Sequence, residues 1–280
     1  KLAEELNVPI VPVNHIEAHI LVNFVDSSSK HKTQNAKLQS KIKNLFRQKQ
    51  TCLFPAVCLI VSGGHTQIIL MKNFGKYKIL GETRDDAAGE CFDKTARILG
   101  LGYPGGPAIA EKALQWKSEI QNPLASQDLA KPEKSKIELP RPMIYQKNYE
   151  FSFSGLKTAV LYLVKSEGQK AKKRRFVQET CHEIQQAIID VLIKKTIRAA
   201  KNFNVKSIIL GGGVAANDEL RRQLERNCLD LNLNFLVSPK DSCTDNALMI
   251  ATTAFFHQSE KTKDWKKIEA NANLKIGKKK

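Results

Sequence analysis

His15 and His19 stand four residues apart in VPVNHIEAHILV, residues 11–22. On a helix, residues i and i+4 lie one above the other, so both imidazoles can aim at one ion. A zinc-protease helix of the H-E-x-x-H kind also needs a Glu directly after the first histidine, acting as general base. That position is Ile16 here, and the nearby acid, Glu17, falls about 200° around the helix from His15. Helix geometry thus argues against a protease. A metal pair and a pair of histidines satisfied by neighbours both fit the spacing.

Two glycine turns add backbone chemistry. LGGGVAAN, residues 210–217, joins an apolar run to a helical pattern through three glycines. Glycine permits positive φ and close approach, and a helix start offers N–H donors, which suits a phosphate or a nucleoside. Neither G-x-G-x-x-G nor a P-loop is present, and ligand-free tight turns also use glycine. The second turn, SGGHT at residues 62–66, lies between two apolar runs and reads as a hairpin. No Ser or Cys stands beside an evident base, so no catalytic side chain is assigned beyond metal and substrate ligands. The six cysteines show no CxxC spacing and read as small core residues in a reducing compartment.

The elements that must position these groups follow from the pattern. The 280 residues suffice for one large or two ordinary domains. No stretch approaches the roughly 18–20 apolar residues of a membrane span. The formal charge of +17 favours a polyanionic partner, nucleic acid first, with a merely solvated basic surface as the alternative. The chain opens as a helix end, a short strand over Pro9–Val13 and the histidine helix. Residues 26–51 then carry seven Lys or Arg against one acid, as a basic insertion with an amphipathic stretch at AKLQSKIKNLF. A β-meander follows Pro55, then a helix from DDAAGECF with a glycine stop, and a Pro/Gly turn opening another helix. Residues 117–139 read as a polar linker. FSFSGLKTAVLYLV begins strand-like and turns helical, and KKRRFVQET opens a long amphipathic helix. The last third is strand, triple-glycine turn, helix, strand, loop and closing helix, with ANANLKIGKKK as an exposed basic tail.

The blocks NHIEAH, IVSGGHTQ, DDAAGECFDKTARILGLGYPGGP, FSFSGLKTAV, GGGVAAN and SCTDNALMIA, in this order, resemble the bacterial TsaD family from about Val11 to Phe255. The resemblance implies an α/β, actin/Hsp70-like (ASKHA) two-lobed fold, here lacking much of the first lobe. Residues 1–55 would end the N-terminal lobe and carry the histidine helix and the 26–51 insertion. Residues 56–84 would be a hairpin part of the C-terminal lobe, 85–204 a mostly helical insert, and 205–280 the C-terminal α/β lobe. The implied activity is threonylcarbamoyl transfer from threonylcarbamoyl-AMP to N6 of the adenosine 3′ of the anticodon in tRNAs reading codons that begin with A. A non-catalytic nucleotide- and tRNA-binding subunit of the same machinery is the competing expectation.

Carried over from the family, His15, His19 and Asp245 hold one divalent iron or zinc ion, and two imidazoles with one carboxylate leave positions for substrate oxygens. Locally, Asp245 also fits a helix N-cap before NALMIA. The resemblance lays the adenylate against Ile60, Val61, Ser62, Gly63, Gly64, Asp93, Gly106 and Asn217. Asp93 would accept from ribose hydroxyls, and Asn217 offers both donor and acceptor. Lys94 fits either a phosphate contact or an ordinary helix surface. The implied partners are tRNA and TsaB-like and TsaE-like subunits, in the cytoplasm and without a membrane. The family pattern also includes an early GIETSCDET hairpin, which is absent from this sequence.

Overall fold

The computed structural model describes residues 1–25, 53–121, 137–272 and 274–277. In chain order the elements are α1 (Leu2–Glu5), α2 (His15–Leu21), β1 (Ala56–Val61), β2 (Thr66–Asn73), β3 (Lys76–Glu82), α3 (Ala88–Ile98) and α4 (Gly105–Gln121). They continue with α5 (Ser154–Glu167), α6 (Arg174–Asn202), β4 (Ser207–Gly211), α7 (Asp218–Asp230), β5 (Asn234–Val237) and α8 (Ala247–Phe256). The five strands form one mixed sheet in the order β3-β2-β1-β4-β5. β1–β2 and β2–β3 pair antiparallel, β1–β4 and β4–β5 parallel. The hairpin strands and the strands of the last third therefore share one sheet.

β1, AVCLIV, is buried along its whole length, as expected of a strand covered on both faces. Its side chains divide with period two. Val57, Leu59 and Val61 face a core shared with α3, α4, α5, α6 and α7. Ala56, Cys58 and Ile60 face a second core containing Ile16, Ile20 and Leu21 of α2, with Phe54, Phe74 and Phe256 against it. The histidine helix and the strand bearing half of the glycine turn are thus locked together by one apolar layer.

Three expectations need correction. Residues 9–13 form no strand: only Ile10 pairs, exchanging hydrogen bonds of 2.9 Å each way with Thr262. Pro12 lacks the N–H that the next rung needs, and on the other side the Val8 N–H is already taken by the Ala3 carbonyl at 2.9 Å, so the ladder does not extend. The helix before the polar linker is longer than its composition suggests, since α4 runs to Gln121; residues 122–136 lie outside the described residues. The C-terminal segment is not simply exposed. Ile276 is buried in the α2-side core, the Leu274 carbonyl accepts from Asn14 Nδ2 at 2.9 Å, and Lys275 pairs with Glu82. The basic 26–51 stretch lies wholly outside the described residues. Cys58, Cys91, Cys181, Cys228 and Cys243 are buried free thiols, and burial pushes Cys91, Cys181 and Cys228 up to about 12. Among the described residues no helix is long and apolar enough to cross a membrane.

Candidate metal centre and nucleotide cleft

The histidine helix is short, so its ends are held from outside. Asn14 caps it, its Oδ1 accepting from the N–H groups of Ile16 at 3.0 Å and Glu17 at 3.1 Å. At the other end Asn23 Nδ2 donates to the His19 carbonyl at 2.8 Å, while Asn23 Oδ1 accepts from Ser238 N–H at 2.6 Å. That last bond ties the helix to the segment after β5. Arg221 of α7 then donates to the Ala215 carbonyl, the Ser238 carbonyl and Cys243 Sγ, at 2.5, 2.8 and 2.9 Å. One guanidinium thus fixes the loop that ends in Asp245.

The helix and the loop bring three donors together. His15 Nε2 lies 3.5 Å and His19 Nε2 3.2 Å from Asp245 Oδ1, and the two imidazole rings stand at 82° to each other. All three donor atoms fall within 4.8 Å of one another. With metal–ligand bonds of about 2.1 Å, tetrahedral ligands sit roughly 3.4 Å apart, so this spacing fits a single ion. His19 is buried, yet neither of its ring nitrogens meets a hydrogen-bond partner in good geometry among the described residues. A buried imidazole without a partner is costly unless something else takes its lone pair, and a metal ion does that. Burial, then the neighbouring His15, pulls His19 below the ordinary histidine range against the pull of Asp245. The neutral form so favoured is the one that ligates. The capping alternative for Asp245 fails, because the N-cap of α8 is Asn246, whose Oδ1 accepts from Met249 N–H at 2.9 Å.

Glu17 faces away from the pair, as its helical position requires. Its buried carboxylate accepts from Tyr77 Oη at 2.9 Å and pairs with His257 Nε2 at 2.9 Å. The other ring nitrogen of His257 meets Glu260 at 2.7 Å. This network ties α2 to β3 and to the end of α8, and it takes Glu17 out of reach as a general base. Burial works against charge on His257, but the bond to Glu260 and the charge of Glu17 outweigh it and raise the pKa. A raised histidine contributes stability that is complete below its unfolded value of about 6.5 and is lost as pH rises through the folded value. His257→Gln should therefore be destabilised by roughly 1–3 kcal/mol at pH 6, with the gap to the parent narrowing as pH rises. Urea unfolding of both proteins from pH 5.5 to 8.5 checks this; a gap that widens with pH would count against the clamp. Comparison with the variant is needed because burial lowers His19, His65 and His182, which act in the opposite sense.

The glycine turns converge on the same region. Gly212 has φ +90°, and a side chain there would run into the Val61 carbonyl; one at Gly211 would lie 2.6 Å from the His19 carbonyl. The triple-glycine turn is therefore pressed between β1 and the histidine helix. The hairpin turn closes through Ser62 N–H to the His65 carbonyl at 2.8 Å, and Gly63 and Gly64 face open space. α3 starts directly against this turn, where Gly89 leaves no room for a Cβ beside the Ser62 carbonyl at 2.5 Å. One turn along α3, Asp93 Oδ1 accepts from Gly105 N–H at 2.7 Å and so opens α4, with Gly106 next to it and uncrowded. Asn217 caps α7 through Leu220 N–H at 3.0 Å and donates to Gln185 Oε1 at 2.8 Å. Ile60 and Val61 are buried at the end of β1, so their side chains face the cores and not the cleft. Lys94 is a helix-surface lysine, paired with Asp86 and Glu90 at 2.8 Å each.

A family model described as "TsaD: tRNA N6-adenosine threonylcarbamoyltransferase" matches residues 37–252. The chain belongs to the TsaD family. Curated relatives carrying the name tRNA N6-adenosine threonylcarbamoyltransferase include one from Syntrophomonas wolfei, 39% identical over 262 residues, covering 93% of this chain and 65% of the relative. One from Thermosipho africanus is 40% identical over 276 residues, 98% of this chain and 71% of the relative. A third, from Dehalococcoides mccartyi, is 43% identical over 256 residues, 91% and 64% respectively. The chain thus spans about two thirds of the length of these TsaD relatives. Four contributors to the site were not singled out from sequence: Asn23, Gln185, Arg221 and His65, whose ring lies 6.4 Å from that of His15. Only His65 carried a signal, as the one titratable side chain in the SGGHT turn.

Proposed function

We propose that this TsaD chain forms the metal- and nucleotide-holding part of an enzyme that transfers the threonylcarbamoyl group of threonylcarbamoyl-AMP to N6 of the adenosine 3′ of the anticodon in tRNAs reading codons that begin with A. The observation that carries this reading is the convergence of His15, His19 and Asp245 beside two glycine turns, in a chain of this family. The sheet order supports an actin/Hsp70-like arrangement, because it puts both turns at the ends of the adjacent parallel strands β1 and β4.

The chain's own groups have distinct tasks. The open faces of Gly63, Gly64 and Gly106 let backbone lie flat against the adenylate. Asp93 retains a second carboxylate oxygen for a ribose hydroxyl while its first holds the start of α4. His15, His19 and Asp245 would hold the divalent iron or zinc ion, which supplies a Lewis acid for substrate oxygens when bound. Attack by the adenosine N6 on the carbamoyl carbon forms a C–N bond as the C–O bond to phosphate breaks; AMP leaves with that electron pair, and the N6 proton passes to solvent or phosphate. With so good a leaving group, orientation carries much of the acceleration. TsaB-like and TsaE-like subunits complete the machinery, and the buried free thiols suit a reducing cytoplasm.

The test is nucleoside mass spectrometry of unmodified tRNA after incubation with the chain, its partner subunits, and the separate enzyme that makes threonylcarbamoyl-AMP from ATP, threonine and bicarbonate. Threonylcarbamoyladenosine, lost in Asp245→Ala, is the expected outcome. Because the chain spans only about two thirds of its relatives, a second reading is a binding subunit without turnover. Nucleotide and tRNA binding without product, under conditions where a full-length relative succeeds, would establish that reading instead.

A further inference from the structure

Residues 165–175, KSEGQKAKKRR, carry six basic residues against one acid. It forms the end of α5, the 3₁₀ turn Gly168–Lys172 and the first turn of α6. Lys165, Lys170, Lys172, Lys173, Arg174 and Arg175 are all exposed, and buried Ala171 pins the turn beneath them. Arg174 pairs with Glu119 at 3.0 Å and Arg175 lies over the Trp116 ring at 5.6 Å. The four lysines have no carboxylate partner among the described residues. Like charges packed this closely repel one another, and the carboxylate of Glu119 offsets only Arg174. Tyr162, 64% exposed, stands one turn before Lys165 on α5 and offers a ring face beside the cations.

The helices fix where this tip lies relative to the cleft. α4 runs from Gly105, held by Asp93, to Glu119, which meets Arg174. Those fourteen residues span about 21 Å at 1.5 Å per residue. α6 runs from Arg175 to Gln185, which holds Asn217, about 15 Å. The tip therefore sits about 15–20 Å from the residues assigned to the adenylate, roughly five steps along one nucleic-acid strand.

We propose that this basic tip grips the sugar–phosphate backbone of the tRNA stem flanking the adenosine that enters the cleft, an inference that rests on the tRNA-modifying reading above. The lysines neutralise successive phosphates, and Tyr162 supports the strand by stacking or by packing on sugar. Contacts of this kind position the RNA without reading its sequence.

The test uses the whole chain and an unmodified tRNA transcript, with binding followed by fluorescence anisotropy from 50 to 200 mM salt. The variant Lys170→Ser/Lys172→Ser/Lys173→Ser is compared with Lys261→Ser/Lys263→Ser/Lys266→Ser, which removes equal charge from another exposed segment. The tip variant should bind at least about tenfold more weakly at low salt, with the slope of log K against log salt reduced by about 2. The control should change less than about threefold. Equal losses in both, no loss in either, or no tRNA binding by the parent overturns the proposal. Unchanged tRNA affinity with loss of an acidic protein subunit overturns it too, in favour of a protein partner. Transfer assays with the partner subunits separate the two readings: the tip variant should raise the KM for tRNA and leave kcat alone. Product formed with an unchanged KM sinks the tip and spares the enzyme reading. Tip-dependent tRNA binding with no product from the parent spares the tip and sinks the enzyme reading.

Discussion

Asp245→Ala and His19→Ala should each reduce the iron or zinc retained by the purified chain from near one ion per chain to a small fraction of that. Apparent affinity should fall by more than about 100-fold, since even outer partners of metal ligands are worth roughly 10–100-fold. Elemental analysis after dialysis reads this directly. Stability gives a second readout whose sign differs between the two residues. In the chelated protein, His19 is a buried imidazole whose Nδ1 has no partner among the described residues and whose Nε2 has only Asp245 Oδ1, poorly aligned at 3.2 Å, a cost of about 1–3 kcal/mol. His19→Leu should therefore be as stable as the chelated parent or more so, and clearly less stable than the loaded parent. Asp245 is 75% exposed, so its replacement should leave the chelated protein nearly unchanged and abolish only the gain from metal. A His19→Leu protein destabilised equally with and without chelator would show that His19 is a packing residue. A parent that retains no metal under reducing, metal-replete conditions would remove the assignment altogether.

How far this site could be read from the chain depends on the range of the interaction involved. The i, i+4 histidine pair is local, and helix geometry alone placed Glu17 on the far side, where it meets Tyr77 and His257. Asp245 is 226 positions from His19, so nothing local could pair them; only the resemblance to the TsaD family implied that ligand set. The meander and both glycine turns were legible because apolar runs broken by glycine leave few alternatives. What escaped notice depends on contacts between distant polar residues. Asn23 meets Ser238 across 215 positions, and Arg221 serves three acceptors that only the folded chain brings together. The docking of Ile276 was hidden by its setting, Leu274 and Ile276 being short apolar interruptions in a lysine-rich tail. Residues 9–13 misled in the opposite way, since β-branched neighbours suggested a strand that the missing Pro12 donor and the engaged Val8 N–H forbid.

Neighbouring glycines in the triple turn should respond very differently to alanine. Gly212→Ala is expected to destabilise the chain by more than about 4 kcal/mol, and Gly213→Ala by no more than about 0.5 kcal/mol. Gly212 has φ +90°, and its Cβ would be driven into the Val61 carbonyl. That carbonyl belongs to the central strand β1, which is hydrogen-bonded on both sides and cannot retreat. The strain of positive φ, about 1–2 kcal/mol, adds to the clash. Gly213, by contrast, would bring a Cβ no closer than 3.9 Å to Thr244 Cγ2, an ordinary contact. Thermal unfolding should separate the two, with Gly212→Ala lower by roughly 8 °C or more at about 2 °C per kcal/mol. The consequence for function follows from the packing. Relief of the clash must part β1 from the turn, and the turn also bears on the His19 carbonyl through Gly211. Metal retention and AMP binding should therefore fall together in Gly212→Ala and persist in Gly213→Ala. Loss of AMP binding alone, with melting temperature and metal intact, would mean that Gly212 serves ligand access rather than the junction between strand and histidine helix.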